Sequence, residues 1–265
     1  MNKITSIPTK LGPIETEIRE VKGTIPVIFL HGVYLNRHLW NAQIEHINQR
    51  TVISIDMPHH GNNRHNIIGW NLDDCASMLL EILDNLHIPE VIAVGQSWGS
   101  MTIIRAAAKA SHRFKAIGLC NMPLHQGHPN KLLSYYFKSS LLIFRTFYAK
   151  QAAKFLFAPT SLKEQPSLSQ VIVKGMKQMT AKEIRHVDRA VVINPDDGFI
   201  FLPKLTCIVK ALKGEKDYVP TPPGIETTIV PGGHISPLEA PKEVTNFIQA
   251  LIQDIPVKND ASKKQ

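Results

Sequence analysis

The chain has 265 residues, and its hydrophobic fraction of 43% is sufficient for one large domain with a packed core. The formal net charge is +8, but no run of five or more Lys and Arg residues occurs, so we expect no nucleic-acid partner. Because no segment has the pattern of a signal peptide or a membrane span, we expect a protein of the cytoplasm.

Strands and helices are predicted to alternate through the first half of the chain. Short runs rich in β-branched residues are typical of strands that are buried on both faces. We predict such strands at 25–30, 51–55, 91–94 and 114–119. Apolar residues at helical spacing predict a helix that begins near Asn71 and another after Ser97. This order favours an α/β fold with a mostly parallel central sheet flanked by helices.

Residues 124–198 interrupt this alternation. The stretch contains no obvious buried strand and has the pattern of several helices separated by prolines. Strand patterns resume at 205–212 and 225–230, and Pro241 begins a last helix. We therefore predict a core, a helical cap inserted into it and a flexible polar tail. The predicted core comprises residues 1–123 and 199–255, the cap comprises 124–198, and the tail comprises 256–265.

The segment GQSWG places a serine between two glycines at the end of the third predicted strand. A serine on a strand-to-helix turn of this kind adopts a strained backbone, and the tight turn favours glycine two residues before it and two residues after it. Backbone strain is concentrated at functional sites in proteins. We therefore predict that Ser97 is a nucleophile.

A serine hydroxyl needs a base and an orienting acid to become a good nucleophile. Two downstream loops supply these groups, because Asp217 follows the strand at 205–212 and His234 follows the strand at 225–230. Both loops lie at the carboxyl ends of strands, the edge at which open α/β sheets bind their ligands. We predict that His234 is the base for Ser97 and that Asp217 is its acidic partner.

A reaction at a carbonyl group also needs hydrogen-bond donors for the negative oxygen of the tetrahedral intermediate. In the segment FLHGVYL, a strand ends and the chain turns at His31 and Gly32. This turn points the Val33 amide toward the site, beside the Trp98 amide. We predict that Val33 and Trp98 form an oxyanion hole through their backbone N–H groups and that His31 shapes the turn.

Six landmarks follow one another in the order found in cap-bearing proteins of the α/β-hydrolase fold. They are HGV at 31–33, Trp40, DMPHHG at 56–61, GQSWG at 95–99, GEKD at 214–217 and GGH at 232–234. The sequence resembles this family over residues 10–255. The resemblance implies an α/β-hydrolase fold with a helical cap insertion, and the same roles for Ser97, His234 and Asp217. It also offers a second acid position, but Asn121 stands there and has no carboxylate.

Two features depart from the family pattern. His59 stands where many relatives have glycine. The segment 218–226, YVPTPPGIE, contains three prolines and is not expected to form the helix that the family commonly has between its acid and its histidine. The loop that carries Asp217 is therefore expected to differ from that of relatives.

The histidines and cysteines do not form the pattern of a metal site. The three cysteines share no metal-binding or redox spacing, and the loop histidines match no zinc spacing. These histidines are His59, His60, His65, His125 and His128. We predict no metal and no cofactor.

The predicted cap carries the information on substrate and partner. Eight of the 18 Phe, Tyr and Trp residues lie in 131–157, which favours an apolar cover over Ser97, although ordinary packing explains it equally well. The cap also has 11 Lys and Arg against five Asp and Glu, which suits either an acidic acyl carrier protein or a solvated face. The candidate substrate-binding residues are His31, Tyr136, Phe144 and Tyr148.

These residues predict a cofactor-independent serine hydrolase that cleaves an ester, thioester or lactone with an apolar group through an acyl-enzyme intermediate. Relatives that open epoxides or remove halides use an aspartate nucleophile, so Ser97 disfavours those two reactions. Several alternatives stay open. They are an esterase for acyl chains on an acidic carrier protein, a carbon–carbon bond hydrolase, a cofactor-free peroxidase and a ligand receptor without turnover.

Overall fold

An eight-stranded sheet forms the centre of the computed structural model, which describes residues 2–63, 67–124, 141–194 and 197–255. The strands are β1 Lys3–Ile7, β2 Ile14–Arg19, β3 Val27–Leu30, β4 Val52–Ile55, β5 Val91–Gln96, β6 Phe114–Cys120, β7 Ile208–Gly214 and β8 Thr227–Val230. Their order in the sheet is β1-β2-β4-β3-β5-β6-β7-β8. Strand β2 pairs antiparallel with β1 and β4, and all other pairs are parallel. This topology confirms the predicted α/β fold with a mostly parallel sheet.

The six strands expected from the sequence correspond to β3 to β8, whereas β1 and β2 are additional. These two strands form a hairpin at one edge of the sheet, where β1 is mostly exposed and the first residues of β2 alternate between buried and partly buried positions. In β2, for example, Ile14 and Thr16 are fully buried while Glu15 is only partly buried. The polar residues of the outer face hide the strand pattern, because they leave no continuous apolar run.

Helices surround the sheet and connect its strands. They are α1 Asn41–Ile44, α2 Leu72–Asn85, α3 Trp98–Lys109, α4 Arg145–Leu156, α5 Pro159–Glu164, α6 Leu168–Gln178, α7 Ala181–Val187, α8 Ser236–Glu239 and α9 Pro241–Gln253. Helix α2 begins as predicted after Asn71, whose side chain accepts hydrogen bonds from the first-turn amides. None of the helices in the described part of the chain is both long and apolar enough to cross a membrane.

Between β6 and β7, the described residues contain α4 to α7, a π-helical turn at Asp188–Ile193 and short 3₁₀ turns, and no strand. Helix α4 packs against α6. The segment is joined to the core beside the candidate site, because the backbone N–H of His234 donates to the Leu156 carbonyl at 2.7 Å. The predicted tail, 256–265, lies outside the described residues.

Candidate active site

Ser97 lies on the sharp turn between β5 and α3. Its backbone has φ 51° and ψ −111°, a conformation that L-residues rarely adopt. A Cβ atom on Gly95 would lie 2.4 Å from the Ser100 nitrogen, and one on Gly99 would lie 2.3 Å from the Leu30 carbonyl oxygen. Both distances are shorter than any van der Waals contact, so the two glycines allow the chain to hold Ser97 in this position.

We expect Gly99→Ala to lower the free energy of unfolding by about 3 kcal/mol, because the new methyl group would displace the β3 backbone. Gly224→Ala is the control, since a Cβ atom there meets nothing within 4 Å and the only cost comes from the positive φ of its backbone. It should cost only about 1 kcal/mol of backbone strain. Urea unfolding of the two variants measures the difference, and equal losses would show that the turn at Ser97 is loosely packed.

His234 connects Ser97 to Asp217. Its Nε2 atom is 2.9 Å from Ser97 Oγ, and its Nδ1 atom is 2.9 Å from Asp217 Oδ1. His234 and Asp217 are only 3% and 8% exposed. They follow β8 and β7, so the parallel strands deliver them to the edge at which β5 delivers Ser97. The segment between Asp217 and His234 contains no helix, as expected from its prolines, and the carboxylate still reaches the imidazole.

Asp217 is held by further donors that the sequence did not reveal. Asn121 Nδ2 donates to Asp217 Oδ2 at 2.8 Å, and the Val219 amide donates to Oδ1 at 3.2 Å. Burial alone raises the pKa of this carboxyl group, but the hydrogen bonds from His234, Asn121 and Val219 together lower the pKa below its ordinary value. The ionised carboxylate favours the His234 tautomer with a proton on Nδ1, which leaves Nε2 as the acceptor for the Ser97 hydroxyl.

The turn after β3 packs against the nucleophile. A Cβ atom on Gly32 would lie 3.2 Å from Ser97 Cβ, so this turn and the turn at Ser97 are in direct contact. Val33 follows Gly32 in the chain, and Trp98 occupies the first position of α3, where helix amides have no partner within the helix. This placement supports the amides of Val33 and Trp98 as the oxyanion donors that we propose below.

Two buried histidines tie the turn after β3 to the loop after β4. His31 Nε2 accepts the Met57 N–H at 2.9 Å, and His60 Nε2 accepts the Tyr34 N–H at 2.8 Å. The Nδ1 atom of each ring contacts a nearby backbone carbonyl, at 2.7 and 2.9 Å respectively. Burial lowers the pKa of His31 to about 4 and that of His60 to about 3, so both rings are neutral at pH 7. We call this pair the histidine clasp.

His31, one of the predicted substrate-binding residues, has its side chain inside the protein. The side chain is fully buried, and both of its ring nitrogens are engaged by the backbone. His31 therefore has no free polar atom to offer a substrate. The sequence does not reveal this burial, because the loop that covers His31 lies more than twenty residues away along the chain.

The histidine clasp makes the stability of the protein dependent on pH. Both rings are neutral in the folded chain and gain a proton on unfolding below their ordinary pKa of about 6.5. The unfolded state therefore binds more protons in this range, and we expect the free energy of unfolding to fall between about pH 6.5 and pH 4. Each ring contributes a slope of up to about 1.4 kcal/mol per pH unit.

The variant His60→Gln should show a shallower pH dependence of stability, because one of the two titrating rings is removed. Urea unfolding of wild type and variant at several pH values between about 7 and 4 measures both slopes. If the two slopes are equal, His60 is already protonated in the folded protein or is not buried in solution.

Two of the three aromatic residues predicted to contact the substrate lie in the described part of the cap segment. Phe144 is 67% exposed, whereas Tyr148 is buried and donates its hydroxyl to Asp188 Oδ2 at 2.9 Å. The Tyr34 hydroxyl donates to Asp188 Oδ1, so this carboxylate joins the turn after β3 to the cap segment. Tyr136 lies outside the described residues.

The described His, Cys, Asp and Glu side chains include no group of three that could hold a metal ion. His59 instead stacks on Trp70, whose indole N–H donates to His59 Nε2 at 3.1 Å. Its Nδ1 atom lies 3.6 Å from the carboxylate of Glu183 in α7. Thus His59, at the family's glycine position, connects the core to the cap segment. The other candidates, His65, His125 and His128, lie outside the described residues.

The chain is similar to known proteins in sequence and in structure. The enzyme (E)-2-((N-methylformamido)methylene)succinate hydrolase of Acinetobacter baylyi is 32% identical over 77 residues, and the alignment covers 29% of this chain and 29% of that relative. The chain thus matches less than a third of the length of this curated relative.

Two solved structures superpose over nearly the whole chain. The thermophilic esterase from Thermogutta terrifontis gives a TM-score of 0.80 at 21% identity, and the match covers 95% of this chain and 98% of that one. The enol-lactonase from Burkholderia xenovorans gives a TM-score of 0.83 at 16% identity, with coverage of 94% and 100%. At these identities the superpositions establish the fold alone.

A family model described as the alpha/beta hydrolase fold matches residues 25–161, which is more than half of the chain. The matched region includes the turn after β3, the loop after β4 and the turn that carries Ser97. These segments contain three of the landmarks on which the resemblance in sequence rests. The match confirms that resemblance, and the chain belongs to the α/β-hydrolase fold family.

Proposed function

We propose that the protein is a serine hydrolase that cleaves carboxylic esters or lactones with an apolar group through an acyl-enzyme intermediate. One observation carries the proposal, the hydrogen-bonded path from Ser97 through His234 to Asp217, in which both distances are 2.9 Å. A serine that is bonded to a neutral imidazole, itself oriented by a carboxylate, has the activation that nucleophilic catalysis requires. The esterase and the enol-lactonase that share this fold are named for the same type of bond.

In the first half of the reaction, Ser97 Oγ attacks the carbonyl carbon of the substrate while His234 Nε2 takes the hydroxyl proton. Asp217 stabilises the imidazolium ion that forms, and the amides of Val33 and Trp98 hold the negative oxygen of the tetrahedral intermediate. The intermediate collapses when its carbon–oxygen bond to the leaving group breaks. His234 then gives its proton to the leaving oxygen.

In the second half of the reaction, a water molecule attacks the acyl group on Ser97. His234 Nε2 takes a proton from this water and returns it to Ser97 Oγ as the carboxylic acid leaves. Each proton is moved by the same ring nitrogen, and no cofactor enters these steps.

Exposed apolar side chains in the cap segment support an apolar substrate. Phe144, Phe147 and Phe155 are 67%, 52% and 62% exposed. The Phe155 ring lies 4.6 Å from the Tyr218 ring, which in turn stacks on His234. An acyl or alcohol chain that covered these side chains would remove apolar surface from water. We propose that residues 124–198 form a cap and that the apolar part of the substrate binds beneath it.

A second candidate substrate is an acyl chain attached to an acidic carrier protein. Helix α4 contains Arg145, Lys150 and Lys154 and no acidic residue, so it carries positive charge on the same helix as the exposed Phe147 and Phe155. Electrostatic docking of this kind weakens as salt is added. A carrier-linked ester that is hydrolysed faster than the free ester at low salt, and at the same rate in high salt, is the result that favours this candidate.

Labelling with a fluorophosphonate probe tests the proposed chemistry. We expect stoichiometric labelling, with the adduct located by mass spectrometry on the peptide that contains Ser97. Among p-nitrophenyl esters of increasing acyl length, kcat/KM should rise by up to about fourfold per added methylene while the chain still contacts the cap. A folded protein that is not labelled and hydrolyses no ester or lactone would instead be a ligand receptor.

A further inference from the structure

Tyr218 lies against the proposed catalytic histidine. Its ring stacks on the His234 ring at a centroid distance of 4.7 Å and an angle of 29°. Its hydroxyl oxygen is 3.4 Å from His234 Nε2, the atom that is also 2.9 Å from Ser97 Oγ. The phenol and the serine hydroxyl therefore approach the same nitrogen.

The side chain of Tyr218 is half exposed, and its hydroxyl remains a hydrogen-bond donor. Half of the side chain is exposed, so a substrate can reach it, while Phe155 packs against the same ring and restricts its movement. Burial of the hydroxyl and the nearby Asp217 carboxylate raise the pKa of Tyr218 above its ordinary value. The hydroxyl therefore keeps its proton throughout the pH range in which the protein would act.

Nε2 can form only one strong hydrogen bond at a time, because a neutral imidazole nitrogen has a single lone pair. In the resting site that lone pair serves the Ser97 hydroxyl, which is the closer of the two groups. After proton transfer, the N–H of Nε2 must face the leaving group. A leaving oxygen within hydrogen-bond distance of Nε2 then lies next to the Tyr218 hydroxyl as well.

We propose that Tyr218 donates a hydrogen bond to the leaving oxygen of the substrate, an assignment that rests on the proposed ester hydrolysis. As the carbon–oxygen bond breaks, its electron pair stays on the leaving oxygen, which takes the proton from His234 Nε2. The Tyr218 O–H bond stays intact and stabilises the negative charge that develops on that oxygen.

This role for Tyr218 selects among substrates. Alkoxide oxygens are strong hydrogen-bond acceptors, whereas the sulfur of a thiol leaving group accepts hydrogen bonds weakly. The site is therefore built for esters and lactones of aliphatic alcohols rather than for thioesters. The Tyr218 hydroxyl should accelerate the hydrolysis of p-nitrophenyl esters only slightly, because the p-nitrophenolate leaving group is stable without a hydrogen bond.

The experiment compares wild type with Tyr218→Phe on one acyl group and a series of leaving groups. The series contains p-nitrophenol, phenol, trifluoroethanol and ethanol, with ethanethiol as the thioester. We expect kcat/KM of the variant to fall by about 10-fold to 100-fold for the ethyl ester. It should fall by less than about threefold for the p-nitrophenyl ester and for the thioester. The dependence of log kcat/KM on leaving-group pKa should therefore be steeper in the variant.

Two controls are needed. The first separates the effect of the Tyr218 hydroxyl from that of its ring, and the second separates a failure of this inference from a failure of the proposed ester hydrolysis. Tyr218→Leu removes the stacking as well, and it should lower kcat/KM for every leaving group. A parallel loss in Tyr218→Phe for all leaving groups, or no loss for any, would overturn the assignment while fluorophosphonate labelling still supported the hydrolase. A wild-type protein that is not labelled would overturn both.

Discussion

Replacing Ser97 by alanine is expected to lower kcat for a p-nitrophenyl ester by about 10⁴-fold to 10⁶-fold. The reason is that Ser97 Oγ lies 2.9 Å from His234 Nε2, closer than the Tyr218 hydroxyl at 3.4 Å, so its removal takes away the nucleophile that the imidazole activates. Direct attack by water, aided by the remaining oxyanion donors, accounts for the residual rate. Initial rates at saturating substrate measure the effect, and the fluorophosphonate adduct should be absent.

The control for this prediction is Ser77→Ala. This variant removes a hydroxyl that donates a hydrogen bond to the Asp73 carbonyl within α2, a different helix from the one that follows Ser97. It should hydrolyse the ester at the wild-type rate. Circular dichroism should show that both variants are folded. If Ser97→Ala keeps more than about a tenth of the wild-type kcat, another residue is the nucleophile.

Asp217→Asn is expected to lower kcat by about 10⁴-fold while the chain stays folded. Asn121 Nδ2 donates to Asp217 Oδ2 at 2.8 Å and the Val219 N–H donates to Oδ1 at 3.2 Å, so an amide at position 217 can accept from only one of them. The shorter bond favours an oxygen that faces Asn121 and an NH₂ group that faces His234. The His234 ring would then accept at Nδ1 and carry its proton on Nε2. In that tautomer it cannot take the proton of the Ser97 hydroxyl.

A second substitution checks this explanation. Adding Asn121→Ala to Asp217→Asn removes the donor that fixes the amide, so the amide oxygen can turn toward His234 Nδ1. We expect the double variant to be at least about tenfold faster than Asp217→Asn, an effect of the size of one hydrogen bond to a polar group. Full activity in Asp217→Asn alone would show that His234 does not depend on this carboxylate for its orientation.

The central strands and the three side chains of the proposed triad are predictable from sequence for a shared reason. Strands β3 to β6 are buried on both faces, so their residues form apolar runs that stand out from the rest of the chain. Ser97 follows β5 directly, and Asp217 and His234 follow the partly exposed strands β7 and β8 after short turns. Parallel strands carry their ends to one edge of the sheet. The position of each of these residues after its strand is therefore enough to predict that the three side chains lie close together.

Other parts of the site are not predictable in this way, because they depend on contacts between distant loops. Asn121 stands out in the sequence only as a residue that cannot act as the acid, and its bond to Asp217 spans 96 positions. The burial of His31 depends on the loop of Met57. Tyr218 follows Asp217 directly, yet its stacking on His234 depends on how a proline-rich loop folds back. None of these contacts between distant loops can be predicted from the sequence pattern.

The hydrogen bond from the His234 backbone to Leu156 fixes the proposed cap near the middle of its sequence, at the last residue of α4. Two residues further on, the Ala158 amide donates to Glu239 Oε1 at 2.8 Å, so the chain is pinned to the core on both sides of Phe157. A movement of residues 156–158 away from the core would displace His234, and the imidazole would then lose its hydrogen bond to Ser97. We therefore expect residues 156–158 to keep their position relative to His234 when substrate binds.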